Sequence, residues 1–197
     1  MTVNELFEIL QQNKPSVLLK ENENELFDLI PELKKCKGFD QKSDWHIYDV
    51  LEHIYHVIDN TPNRLELRVA SLFHDCKKPD SFSLDDEGRG HFTNHWYYGV
   101  KTFEQFAQKY GLDHDFTKAI SKLILYHDIN LDALNVEQMD SMCSIFSFNE
   151  FSDLLELKKA DLMASNPKYH YLIDNLYKNE DDFMKRKEID RIKKSLS

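Results

Sequence analysis

Between its glycines and prolines, five of each in 197 residues, almost every stretch of this chain repeats apolar residues at intervals of three and four. That period traces one face of an α-helix and not the alternation of a strand, so it predicts an all-α fold built as a single helical bundle. Val3, Leu6, Phe7 and Leu10 form one stripe. Ile47, Val50, Leu51, Ile54, Val57 and Ile58 form a second, and Leu65, Val69, Leu72, Phe73 and Cys76 a third. A fourth, Val100, Phe103, Phe106, Ala107 and Tyr110, stops at Gly111, a residue suited to a left-handed helix cap. Phe116, Ile120, Leu123, Ile124 and His127 make a fifth, and Phe151, Leu154, Leu155, Asp161 and Leu162 a sixth.

Residues 40–170 read as the bundle, 1–39 as an N-terminal helical extension packed on it, and 171–197 as a helical tail. The tail's charges alternate in sign from Asp181 to Ser197, which predicts a mostly solvated helix. Residues 77–94 break the helical pattern, with Pro79, Gly88 and Gly90 among polar residues, and are expected to form a long loop. Compact domains keep loops of that length chiefly for functional sites, which draws attention to its flanks, His74-Asp75 and His95.

The formal net charge of −10 repels polyanions, so a long nucleic acid is an unexpected partner, while a small phosphorylated substrate remains open to a local basic pocket. Three cysteines, Cys36, Cys76 and Cys143, lie far apart and odd in number, fitting neither a disulfide framework nor a metal knuckle. No apolar run approaches the ~20 residues that span a bilayer, and the acidic, polar start does not resemble a secretory signal. The expectation is a cytoplasmic chain without a membrane partner.

Several imidazoles and carboxylates fall where the periodicity calls for core. His53 lies three residues after Val50 and four before Val57, so it faces the same side. Asp161 stands seven residues after Leu154 and in line with it, and a buried aspartate needs a cationic partner or a metal. His74 and Asp75 end an apolar helix just before Pro79, at a terminus whose partial negative charge favours a cation, and His127 closes its own stripe likewise. Helical bundles build metal sites from such facing side chains. Mixed imidazole and carboxylate ligands suit Mn, Fe, Co, Ni or Zn, and a carboxylate-dominated set suits Mg. Any one of these histidines alone is more often a hydrogen-bonded core residue, and Asp161 alone would be served by a lysine or arginine.

Three stretches carry a family resemblance: HIYDVLEH at 46–53, LRVASLFHDCKKPDSFSLDDEGRGHFTNH at 67–95 and LLELKKADLMASNPKY at 154–169. They resemble the HD phosphohydrolase superfamily, with wording similar to the HD domain attached to bacterial tRNA nucleotidyltransferases, although no nucleotidyltransferase domain or Gly-rich phosphate loop is seen. The resemblance implies that His53, His74, Asp75 and Asp161 ligate a divalent metal, and that His95 and His127 hold a second ion or substrate. It also implies catalytic work for Asp75 and Lys78, and substrate contact for His46 and, less directly, Arg89. One position departs: Lys77 stands where the family has glycine, a costly exchange if that residue takes positive φ. Lys77 and Lys78 would meet a substrate phosphate or form a solvated pair. Along a continuous helix His46 would lie about 10 Å from His53, too far to share an ion. His56, His91, His114 and His170 carry no argument beyond composition.

The function so implied is metal-dependent hydrolysis of a phosphate ester on a nucleotide or nucleotide-like small molecule. The alternatives are a non-catalytic HD-fold module that binds a nucleotide or RNA end, and a purely structural helical protein that binds no metal.

Overall fold

Five α-helix starts among the described residues are capped by a side chain. In the computed structural model, which describes residues 1–196 with side chains through 193, Thr2 and Glu5 form a reciprocal capping box that opens α1 (Val3–Leu10). Three short helices follow, α2 (Pro15–Glu21), α3 (Glu23–Leu29) and α4 (Pro31–Cys36), two of them begun by a proline whose missing N–H costs nothing at a first turn. Asp49 accepts from Glu52 N and starts α5 (Val50–Asn60). This cap shortens the second predicted stripe: Ile47 lies outside the helix and is 52% exposed. Next comes α6 (Leu65–Phe73), which ends with His74 as its cap residue.

The predicted long loop holds structure of its own. After a 3₁₀ turn at Pro79–Ser81, β1 (Phe82–Leu84) pairs antiparallel with β2 (Gly90–Phe92). Two three-residue strands carry too little alternation to be seen in sequence. Beyond this hairpin run α7 (His95–Tyr110), α8 (His114–Tyr126), α9 (Val136–Ile145), α10 (Phe148–Met163) and, after a second 3₁₀ turn at Pro167–Leu172, α11 (Ile173–Leu196). Gly111 takes φ +66° and caps α7, as its position suggested.

α6 packs on α5, α8 and α10, α10 also packs on α5 and α8, and α7 lies against α6 and α8, where Phe73 meets Phe103 and Phe106 edge to face or tilted. Gly99 permits that approach, since a Cβ there would meet Phe73 O at 3.3 Å and His74 O at 3.5 Å. α7 is thereby held against the end of α6 that carries His74 and Asp75. On the other side α2 and α4 contact α5, and α1 contacts α6. The buried Arg68 guanidinium donates to the carbonyls of Leu10, Gln12 and Thr61, tying the N-terminal segment to α6. The charged tail is not wholly solvated: Phe183 is fully buried and stacks on Phe151 with ring centroids 3.9 Å apart. Among the described residues no helix is long and apolar enough to cross a membrane.

Candidate metal centre

Five elements deliver polar side chains to one point: α5 brings His53, the end of α6 His74 and Asp75, the start of α7 His95, the end of α8 His127, and α10 Asp161. All but Asp161 are nearly inaccessible, and the Asp161 side chain, 17% exposed, opens onto a cavity of about 300 Å³. Asp75 is the hub. Its Oδ2 lies 3.4 Å from His53 Nε2, 3.3 Å from His74 Nε2 and 2.7 Å from Lys78 Nζ. Its Oδ1 lies 3.2 Å from His95 Nε2 and 3.6 Å from His127 Nε2. Asp161 Oδ1 stands 3.0 Å from His53 Nε2.

The imidazoles are preset as ligands. His74 Nδ1 donates to Ser71 O at 2.7 Å, His95 Nδ1 to Phe92 O at 2.8 Å and His127 Nδ1 to Ile124 O at 2.7 Å, each bond reaching three residues back. A proton fixed on Nδ1 leaves the Nε2 lone pair free, and in all three rings Nε2 is the atom that faces Asp75. His53 Nε2, His74 Nε2 and Asp75 Oδ1 are buried without a hydrogen-bond partner. A divalent ion accounts for those orphans: bonds of about 2.1 Å place neighbouring ligands about 3.0–3.4 Å apart in octahedral or tetrahedral geometry. The observed edges of 3.0, 3.3 and 3.4 Å in one half and 3.2, 3.2 and 3.6 Å in the other fall at or near that window. The atoms form two compact groups, His53, His74 and Asp75 on one side and Asp75, His95 and His127 on the other, and Asp161, outside both, adjoins the first through His53.

The electrostatics agree. Burial pushes the Asp75 carboxyl upward, but His74, Lys78 and His127 outweigh it and hold the group well below the usual carboxylate range. Asp161 is likewise held low against its burial by His53 and Lys158. Burial lowers His74, yet the Asp75 carboxylate beside it raises the net value, so the field that would bind a cation draws a proton when none is present. His127 is lowered, first by burial and then by His74 and His95, against the pull of Asp75.

Some positions differ from expectation. His46 precedes α5 in an irregular segment and folds back, so its ring centroid is 5.0 Å from that of His53 and not a helical rise away. Burial, with Lys78 and His53 nearby, pushes His46 down to about 2, which keeps it neutral. Lys77 does not take positive φ, which among the described residues is confined to Lys42, Asn94 and three glycines, so lysine is unstrained there; it pairs with Asp80. Arg89 is not part of the cavity wall: it pairs with Asp85 and Glu87 at the exposed tip of the hairpin. Lys78 faces the cavity with its ammonium already engaged by Asp75 and by Gln41 Oε1 at 2.9 Å.

Sequence reasoning missed Gln41, Trp45, Asp128 and Lys158, all of which touch this site or line its cavity. Lys158 was legible, being one helical turn before Asp161 and 3.6 Å from its Oδ2. Gln41 was not, because a turn with Lys42 at φ +50° places it.

A predominantly helical bundle with buried His and Asp groups beside an open cavity has the donor set that could hold a divalent metal. The model of the HD domain matches residues 45–157, more than half of the chain, and the chain belongs to that family, whose members generally are metal-dependent hydrolases. The match ends before Asp161. No curated protein matches the chain.

Proposed function

We propose that the chain is a metal-dependent phosphohydrolase acting on a phosphate ester of a nucleotide or nucleotide-like small molecule. The observation that carries this reading is Asp75, one buried carboxylate with each oxygen turned to a separate pair of imidazole Nε2 atoms at the foot of an open cavity. His53, His74, Asp75 and Asp161 would hold one divalent ion, and Asp75, His95 and His127 a second. When bound, such an ion supplies Lewis-acid neutralisation of a phosphoryl oxygen and acidifies a coordinated water.

The remaining roles belong to the chain. Lys78 keeps Asp75 ionised and in place, and Gln41, its amide nitrogen on Tyr48 O at 3.3 Å, orients that ammonium. Asp161 is the ligand carboxylate with surface open to the cavity, placed to orient an attacking water. Lys158, 3.3 Å from His127 O, sets a positive charge on the wall where charge develops on the transferred group.

The test is elemental analysis of the purified protein followed by a panel of nucleoside mono-, cyclic and diphosphates across several divalent metals. The expected result is bound metal, turnover of at least one member, and its loss in Asp75→Ala with the fold retained by circular dichroism. Absence of metal together with an untouched panel overturns the proposal, and nucleotide binding without turnover replaces it with a binding module.

A further inference from the structure

The cavity has a second wall that the metal ligands do not use, formed by Trp45, Leu162 and Leu172. Trp45 is 42% exposed, yet its indole is held from behind by Tyr169, stacked with centroids 3.6 Å apart at 14°. The Trp45 backbone carbonyl accepts from Asn166 N at 2.8 Å, and its backbone N–H donates to Ser43 Oγ at 3.3 Å. Asn166 also donates through its side chain to Asp44 O at 3.0 Å, so the two segments are clasped. A large apolar ring is thus fixed on one face and left open to the cavity and solvent, the arrangement of a platform on which a flat ring stacks. Trp45 is the first residue of the span that matches the family, while Asn166, Tyr169 and Leu172 lie beyond its end.

The charge of the cavity limits what else the ligand carries. Its lysines, Lys78 and Lys158, are engaged with Asp75 and Asp161, and among the described residues no arginine lines it. Asp128 and Asp132 add further negative charge to the wall. A second or third phosphate would therefore meet no free cation of the chain.

We propose that this site takes nucleoside monophosphates, with the phosphoryl group at the Asp75 end and the base stacked on Trp45. The inference rests on the phosphohydrolase reading and names the substrate class of that site. Because every base has a stackable face, the platform distinguishes substrates with a base from those without one more than it distinguishes bases from one another.

The chain has two tryptophans, and Trp96→Phe leaves Trp45 as the sole indole reporter. In that variant, with magnesium present, adenosine monophosphate should quench the fluorescence, ribose 5-phosphate should not, and adenosine triphosphate should bind more weakly. Trp45→Ala should weaken binding of the monophosphate, and raise its KM, by about tenfold. Its kcat and its KM for ribose 5-phosphate should stay unchanged, and Trp45→Phe should keep most of the affinity. Equal binding of adenosine monophosphate and ribose 5-phosphate, equal effects of Trp45→Ala on both, or triphosphate binding as tight as monophosphate overturns the inference. Quenching without turnover sustains it and removes the phosphohydrolase reading. Turnover without quenching does the reverse, and absence of both overturns the two together.

Discussion

His95 Nε2 faces His127 Nε2 across 3.2 Å, and each ring has its other nitrogen bonded to a backbone carbonyl three residues earlier. With Nδ1 carrying the proton in both rings, two lone pairs confront each other in a buried place, which is unfavourable unless positive charge lies between them. Asp75 Oδ1, 3.2 Å and 3.6 Å from the two atoms, adds a third electron-rich group to the same point. A divalent ion held between these atoms would relieve that opposition.

The first prediction follows from the division of ligands about Asp75. His127→Ala should reduce the metal content found by elemental analysis from two ions to one, because His53, His74 and Asp161 are left intact. One ion in both wild type and variant would show that the His95 and His127 pair holds none.

Metal removal should destabilise the fold, since the ligands of five elements are cross-linked only in the loaded state. At an ion concentration of about 100 times Kd the stabilisation is about 2.7 kcal/mol. For a chain of this size that corresponds to a rise in Tm of roughly 5–10 °C. A thermal melt with chelator and with added metal reads it directly, and coincident melts would argue that the cluster binds nothing. Acid should abolish the difference, because imidazoles must shed their protons to bind.

Gly90→Ala probes how the hairpin supports the site. A Cβ at Gly90 would stand 2.2 Å from Gln41 O, a backbone atom that cannot swing aside. The strand must shift, at a cost of roughly 1–3 kcal/mol. The shift disturbs the Gln41 side chain that orients Lys78. Chemical denaturation should show the loss and turnover should fall with it; unchanged stability and rate would mean that the hairpin is decoupled from the cavity.

Glu150 gives a pH signature remote from the metal ligands. Burial pushes its carboxyl up, but the Lys122 ammonium and the Ser147 cap of α10 prevail and bring it from 4.5 down to about 2. A carboxylate with a lowered folded value contributes stability above its unfolded pKa and loses it as pH falls through the folded one. Wild type should therefore lose stability between pH 4.5 and 2 more steeply than Glu150→Gln. Parallel acid melts for the two proteins would contradict that assignment.

The helices were legible because burial of an apolar stripe is what makes them, and a stripe is periodic. Their starts were less so: Ile47 belonged to the second stripe by spacing, yet the Asp49 cap places it outside the helix. His53 and Asp161 were visible as polar residues on apolar stripes, and the structure sets them 3.0 Å apart. His46 shows the reverse, since its proximity to His53 depends on an irregular segment that no periodicity describes. Gln41 and Trp45 were hidden for the same reason: a positive-φ residue and a clasp to Asn166, distant in sequence, put them at the cavity. The tail misled in composition, where one fully buried ring, Phe183, docks a helix that otherwise reads as solvated.

Because Asp75 serves both halves of the cluster, the two halves cannot act as independent receptors. An ion in either half would withdraw electron density from the carboxylate on which the other depends, so loading would be stepwise with the second step the weaker. Metal availability would then tune the molecule in grades, with a half-loaded form that persists over a span of concentrations.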